Sequence, residues 1–364
     1  MLSERVVPIS PARVQAPQAA RRQEDERPLC VGLTYNLRSD VPETLVRRYG
    51  EDYFAELDSE LTIDALARAI GRAGHDVVRI GGVEQLVQHL AAGHTLDGVF
   101  NFAEGLWGSA RESQIPALLD AYHIPYTFSD PLTLAFCIDK AMSKRVWLSH
   151  GLPTPRFWVA SNDRDVDAIV RDAPRFPLFA KPVREGSSKG IDARAIIDSE
   201  RALRERVRMV HERYAQPALV ETFASGREFT VGLLGNGATA IVLGVAEVAA
   251  AAKGGIYGFE EKHPDDEGSG LYAPAPPGVL HDLLAQLGRD AYLALGCQDA
   301  GRVDIRLDAA SQPQLLEINP LAGLHPQHSA MPAMARWAGL SFDNLIACIL
   351  DHAFKRWTRN AQAT

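Results

Sequence analysis

From Pro28 onward, short apolar runs alternate with stretches in which apolar residues recur every three or four positions. "LCVGLTY", "HDVVRIG" and "LDGVFNF" have strand length, whereas "ELTIDALARAIGRAG", "VEQLVQHLAAG" and "SQIPALLDAYHI" carry helical spacing, the first closing on Gly74. Strands alternating with helices predict a parallel sheet with crossover helices. A second region opens near Asp130. There "PLTLAFCIDKAMSKRVWLSHG" predicts a helix closed by Gly151, and "LPTPRFWVA" a proline-marked approach to a strand. "FPLFAKPV" and "IDARAII" then predict strands, and "SERALRERVRMVHERYA" a helix. From "PALVETF" on, β-branched runs are cut by glycines, and a long irregular stretch, "AAKGGIYGFEEKHPDDEGSGLYAPAPPG", follows. The helix "HDLLAQLGRDAYLALG", the hairpin "GRVDIRLDAASQPQLLEIN" and a final helical region complete the chain, with no internal repeat.

A chain of 364 residues predicts two or three domains, and 46% hydrophobic with 23% charged residues is ordinary for a folded protein. The expected organisation is a mobile tail over 1–27, an N-terminal α/β domain over 28–129, and a mixed α+β part divided into 130–218 and 219–364. A net charge of −8 without any long basic stretch argues against a general nucleic-acid or membrane-surface binder. The four cysteines lie far apart among apolar neighbours and read as free, buried thiols. No apolar run reaches membrane-spanning length and no secretory signal opens the chain, so a soluble cytoplasmic protein is expected.

The candidate chemistry sits in the connections. In "GRVDIRLD" the strand period places Arg302, Asp304 and Arg306 on one face, and in "QLLEINP" Glu317 and Asn319 share a face. If the two strands pair, two carboxylates and an amide oxygen converge, the hard donors that Mg²⁺ prefers; a solvated face with one ion pair has the same pattern. "KPVREGSSKG" joins two apolar runs. It is either a polar turn or a loop whose small residues allow close approach to phosphate, although it matches no Walker or dinucleotide fingerprint. Lys181 ends an otherwise apolar run and needs an anionic partner. Glu221 and Glu228 flank a turn in "VETFASGREF", either as surface acids or as carboxylates of a nucleotide-binding linker.

The ordered succession "IDKAMSKRVWLSHGLPTP", "FPLFAKPVREGSSKGI", "ALVETFASGREFTVGLLG", "YGFEEKH", "GRVDIRLD" and "LLEINPLAGLHPQHSAMPAMARWAGLSF" resembles the ATP-grasp ligases, and more narrowly the D-alanine–D-alanine ligase branch, over about residues 100–350. The resemblance implies an N-terminal parallel-sheet α/β substrate domain followed by a two-subdomain ATP-grasp fold, the central subdomain carrying a phosphate lid and the C-terminal one a metal site. It implies that Lys140, Lys181 and Lys262 touch the ATP phosphates. Glu185, Gly186, Ser187 and Ser188 belong to the lid over ATP and the first substrate, with Ser187 and Tyr257 in the catalytic set. Glu221, Phe223 and Ala224 match the hinge on adenine, and Glu228 the carboxylate on ribose. Arg302 matches the arginine that steadies the tetrahedral intermediate. Asp304, Glu317 and Asn319 match the ligands of two Mg²⁺ ions, for which Mn²⁺ can substitute.

The substrate-side motifs depart from that pattern. "VGLTYNLRSDVPETLVRRYG" lacks the branch's GG-x-S-x-E stretch, and "AEGLWGSARES" replaces its H-G-x-x-G-E-D-G segment, placing Glu104 at the histidine position. Glu104 and Arg111 are expected either to hold an amine and a carboxylate or to pair with each other. Ser329 is expected either to bind a terminal carboxylate or to cap a helix, with Gly323 nearby. Lys189 stands where the branch has a small apolar residue and is expected to add phosphate affinity or to face solvent. The implied activity is an ATP-dependent carboxylate–amine ligase working through an acyl phosphate on amino acids or similar small acids, not strictly D-alanine. The alternatives are an authentic D-alanine–D-alanine ligase and, from another class, an inactive nucleotide-binding module. Expected partners are small acid and amine substrates and, as a compatible arrangement, a second copy in a homodimer.

Overall fold

The computed structural model describes residues 27–173, 175–248 and 271–363. The tail expected over 1–27 therefore lies, but for Arg27, outside the described residues.

Strands β1 (Cys30–Tyr35), β2 (Asp76–Gly81) and β3 (Gly98–Phe102) form a parallel sheet ordered β2-β1-β3, with α2 (Glu60–Arg72) and α3 (Val83–Ala91) as connections and α4 (Gln114–Ala121) following β3. Ser59 starts α2 by accepting the Thr62 N–H, and Ile63, Leu66, Ala69 and Ile70 make its buried stripe. Between β1 and α2 the chain inserts α1 (Glu43–Tyr49) and a short turn of helix over Glu51–Phe54, which the apolar pattern did not predict. None of the α1 residues is buried, so no core-facing stripe marks it. Asp58 anchors the end of this insertion, its carbonyl accepting the Arg38 N–H and its N–H donating to the Asn36 carbonyl.

The single helix expected over 131–151 is two, α5 (Pro131–Ile138) and α6 (Lys140–Ser149). Asp139 divides them: its extended ψ of 97° stops α5, and its Oδ1 accepts the N–H groups of Ala141 and Met142. Lys140 consequently stands at a helix start. The second sheet, ordered β4-β7-β5-β6, is antiparallel: β4 (Phe157–Ala160), β5 (Leu178–Pro182), β6 (Ile196–Ile197) and β7 (Ala218–Thr222). It is covered by α7 (Asp163–Asp172) and α8 (Glu200–Tyr214), whose Val166, Ile169, Leu203, Val207 and Val210 fill its core. The strand expected over "IDARAII" shrinks to two residues because Asp192 accepts the Arg194 N–H and opens a 3-10 turn. The subdomain boundary expected at 218/219 falls at the head of β7, and the sheet runs on to Thr222.

The third sheet, ordered β10-β9-β8-β11-β12, is also antiparallel: β8 (Glu228–Leu234), β9 (Ile241–Val248), β10 (Tyr272–Pro274), β11 (Ala300–Leu307) and β12 (Pro313–Asn319). α9 (Val279–Ala294) packs on one face with Cys137 of α5 and Trp147 of α6. Helices α10 (Ala330–Trp337) and α11 (Phe342–Ala363) join this sheet to the N-terminal one: Met331, Met334 and Ile346 share a core with Val31, Ile63 and Phe100. That common core fixes the N-terminal sheet against the third sheet. Three of the four free cysteines are buried and Cys30 is half-buried. Among the described residues no helix is long and apolar enough to cross a membrane.

Candidate active site

The hairpin register sets the first constellation. Arg302 lies opposite Asn319 and Asp304 opposite Glu317, with a bulge just after Asp304. Arg302 grips Asp304 with two bonds of 2.9 Å, Thr230 on β8 donates to Asp304 Oδ1 at 2.7 Å, and Asn319 donates to Oδ2 at 3.2 Å. Burial would lower the Arg302 pKa, but Asp304 outweighs it and holds the guanidinium above its ordinary value. Two carboxylates and the Asn319 amide therefore face one patch, and turning that amide over would complete a donor set that suits Mg²⁺. Asp304 already accepts two contacts on each oxygen, so an ion ligating it would displace one of these donors.

The lysines converge on the same patch. Lys140 Nζ donates to the Glu185 carbonyl at 2.5 Å and stands 3.5 Å from Glu317; Lys181 Nζ lies 3.6 Å from Glu221 and 3.7 Å from Glu317. Both side chains are buried. Burial pulls the Lys181 pKa down, and Glu221 and Glu317 more than restore it. The sequence reading missed Lys144. This fully buried ammonium bonds Glu221 at 2.9 Å, Thr154 Oγ at 2.8 Å and the Leu315 carbonyl at 3.1 Å. Burial would raise the Glu221 carboxyl, and Lys144 and Lys181 together hold it below its usual range. The Glu221 side chain is thus engaged with both lysines. Lys144→Met removes one partner of a buried pair, and we expect it to lower stability by about 3–5 kcal/mol, read as a fall in Tm.

The loop over 185–190 is held from an unexpected side. Ser187 and Ser188 both adopt left-handed φ, 47° and 56°, ahead of Gly190 at 70°. Glu56, in the insertion after α1, accepts the Gly186 N–H at 2.5 Å, and Lys189 and Arg111 reach its other oxygen at 2.9 and 2.8 Å. Lys189 also pairs with Glu185 at 2.5 Å, and Gln216 donates to Glu185 at 2.7 Å. Burial would raise the Glu56 carboxyl, but Lys189 and Arg111 bring it down to about 2. Three expectations meet the geometry here. Lys189 does not face solvent; it is buried between two carboxylates. Glu185 faces that cluster with its carboxylate and the lysine of α6 only with its carbonyl. Arg111 pairs with Glu56 and the Arg184 carbonyl rather than with Glu104. No motif marks Glu56; the available signal was an acidic "ELDS" just before a capped helix.

Two openings meet beside this loop. A cavity of about 590 Å³ is lined by Glu104, Ser187, Arg302, Glu317, Gly323 and Ser329 among others. A narrower cleft between the two antiparallel sheets is lined by Lys181, Ser188, Phe223, Ala224, Glu228 and Asp304. Arg302, Glu317 and Tyr272 border both. In the cleft, Phe179 and Phe223 stack at 6.1 Å, and Arg306 lies over Phe223 and 3.3 Å from Glu228. Also lining the cavity, Ser329 Oγ accepts the His325 N–H at 3.0 Å and caps no N–H of α10. His325 Nδ1 accepts the N–H groups of Gln327 and His328, so a neutral ring carries its proton on Nε2. Tyr257 and Lys262 lie outside the described residues.

The sequence profile of the family described as "D-ala D-ala ligase C-terminus" matches residues 146–351. The chain belongs to the D-alanine–D-alanine ligase family. Among curated relatives, a D-alanine–D-alanine ligase of Bordetella pertussis is 37% identical over 293 residues, 78% of this chain and 89% of that protein. The uncharacterized protein y4sG of Sinorhizobium fredii is 34% identical over 312 residues, 82% and 88% of the two chains. The structure of the Coxiella burnetii D-alanine–D-alanine ligase superposes with a TM-score of 0.68 at 19% identity, covering 93% of this chain and 97% of that one. That of the Bacillus anthracis enzyme complexed with ATP gives 0.65 at 19%, covering 91% and 99%, and both show the shared ATP-grasp fold. This member of the family is an ATP-dependent ligase forming C–N bonds.

Proposed function

We propose that this ligase joins a small carboxylic acid of the amino-acid type to an amine through an acyl phosphate, and that D-alanine is not its strict substrate. The observation that supports this reading is the meeting of the two openings at Arg302 and Glu317, with Ser187 lining one and the adjacent Ser188 the other. A nucleotide in the cleft would present its terminal phosphate at that junction, where Lys140 and Lys181 supply charge. The carboxylate of the acid, entering from the larger cavity, attacks the γ-phosphorus and displaces ADP. The amine then attacks the acyl carbon and releases phosphate, while Arg302 faces the oxyanion that develops. Lid closure over Gly186–Ser188 keeps water from the acyl phosphate. Asp304, Glu317 and Asn319 would hold magnesium, which neutralises phosphate charge during transfer.

Phosphate release measured against a panel of D- and L-amino acids as acid and amine tests the proposal. Turnover with several acids and amines is expected. Turnover with D-alanine alone favours the second reading, an authentic D-alanine–D-alanine ligase, which the names of the relatives support. No stimulation of ATP hydrolysis by any pair contradicts both.

A further inference from the structure

The wall of the large cavity formed by the N-terminal domain carries Asp58, Glu104 and Glu112. They come from three separate places: the end of the α1 insertion, the loop after β3, and the 3-10 turn Arg111–Ser113 that leads into α4. Among the described residues, no hydrogen bond or ion pair engages any of the three side chains. The cations around them are taken: Arg111 and Lys189 hold Glu56, Lys140 holds the Glu185 carbonyl beside Glu317, and Arg302 holds Asp304. The other groups facing the cavity, Tyr272, His325 and His328, add no permanent positive charge. Burial and the neighbouring carboxylates push Glu104 well above the usual range, and burial lifts Asp58 to about 8 and Glu112, despite Arg111, to about 7. Three carboxyls are thus kept short of ionisation in the wall of the acid pocket, where a bound cation would favour their charged forms.

The cavity itself, bordered by the lid and Arg302, is the place where the ligase reading puts the acid. A zwitterionic amino acid such as alanine brings one ammonium. Glu56, whose position beside the lid would suit it to receive that ammonium, is already neutralised by two cations. Three further carboxyls without a cation of their own exceed what one ammonium satisfies. Resting on the ligase reading, we propose that the acid substrate is a diamino acid, with a second ammonium seated among Asp58, Glu104 and Glu112. The carboxyl end would meet Arg302 and the lid, and the lining by Gly323, His325 and Ser329 would be left for the amine.

Hydroxylamine, which captures an acyl phosphate as a hydroxamate, identifies the acid without knowledge of the natural amine. Full-length enzyme with ATP, Mg²⁺ and hydroxylamine is assayed with 2,3-diaminopropionate, 2,4-diaminobutyrate, ornithine and lysine in both configurations. Alanine, 2-aminobutyrate, norvaline and norleucine serve as neutral counterparts. The best diamino acid is expected to exceed its counterpart in kcat/KM by about tenfold or more, roughly the strength of one partly buried ion pair. Glu104→Gln and Glu112→Gln, which keep side-chain shape, are expected to collapse that ratio toward one, chiefly through KM. A neutral amino acid, alanine included, used as well as or better than every diamino acid overturns this proposal and leaves the ligase reading standing. An unchanged ratio in both variants also overturns it. Failure of every acid to give hydroxamate overturns both readings together.

Discussion

Glu317→Ala is expected to abolish nucleotide-dependent ligation, with kcat falling by about 10³-fold or more, and Asp304→Ala to do the same. Glu317 stands where both openings meet and receives Lys140 at 3.5 Å and Lys181 at 3.7 Å, while Asp304 anchors Arg302. Removing Glu317 takes away a hard oxygen donor and leaves two buried lysines sharing a smaller negative field. Removing Asp304 releases Arg302, Thr230 and Asn319 together. Single-turnover phosphate release separates this from a binding defect: the chemical step itself is lost. A Glu317→Ala enzyme retaining more than about a tenth of the wild-type rate would remove the hairpin from the chemistry. Retained circular dichroism and Tm within a few degrees show that the fold survives, because Glu317 is half-buried and borders an opening rather than a core.

The second large effect is expected from Glu56→Gln. Glu56 ties three groups of the lid and the N-terminal domain together: the Gly186 N–H, Lys189 and Arg111. The amide keeps the volume and one acceptor but removes the charge, so Lys189 and Arg111 are left sharing Glu185. Leaving buried cations undercompensated costs about 3–5 kcal/mol where nothing relaxes, and the lid is the element free to relax. We expect kcat to fall by about 10²-fold and ATP hydrolysis without amide formation to become a larger share of turnover, since an open lid admits water. The ratio of phosphate to amide product checks this. A proportional fall in both products with an unchanged ratio would show that Glu56 only supports the fold. Lys189→Met is expected to move the same ratio in the same direction. Gly186 is constrained by the same contact, because a Cβ there would stand 2.5 Å from Glu56 Oε1.

The pH response of the substrate-free enzyme follows from the acid wall. Asp58 rises from 3.8 to about 8 and Glu112 from 4.5 to about 7, so between pH 4 and 8 the folded chain binds protons that the unfolded chain has released. Stability therefore falls as pH rises through this window and levels off above it. Asp58→Asn with Glu112→Gln is expected to flatten the dependence and to raise stability at pH 8 by about 1–3 kcal/mol, allowing for water in the cavity. Thermal melts from pH 5 to 9 give the comparison. An equal slope in the double variant would contradict the assigned shifts.

Much of the fold was legible because period and punctuation agree. The alternation of short apolar runs with helical stripes marks β1 to α4, and the hairpin faces of Arg302, Asp304, Glu317 and Asn319 follow from the two-residue strand period. The split at Asp139 was readable only as a capping residue inside an apolar pattern, where two short helices and one long one share the same spacing. Segment 36–58 was opaque for a different reason. Its helix buries none of its residues, and Glu56 matters through partners 55 and 133 positions away, Arg111 and Lys189, which local pattern does not encode. Lys189 itself looked like a loop lysine until two carboxylates from separate segments enclosed it. Lys144 was hidden in an amphipathic helix, where a lysine ordinarily faces water; here it is fully buried against Glu221.

The acyl-phosphate step is the centre of the account, and oxygen tracing reaches it directly. The acid that gives the highest rate in the panel is prepared with ¹⁸O in its carboxylate and turned over with ATP and its amine. Phosphate is then collected and read by mass spectrometry. Attack of the carboxylate on the γ-phosphorus predicts one ¹⁸O in each phosphate released. Phosphate free of label, with amide formed at the same rate, would contradict it.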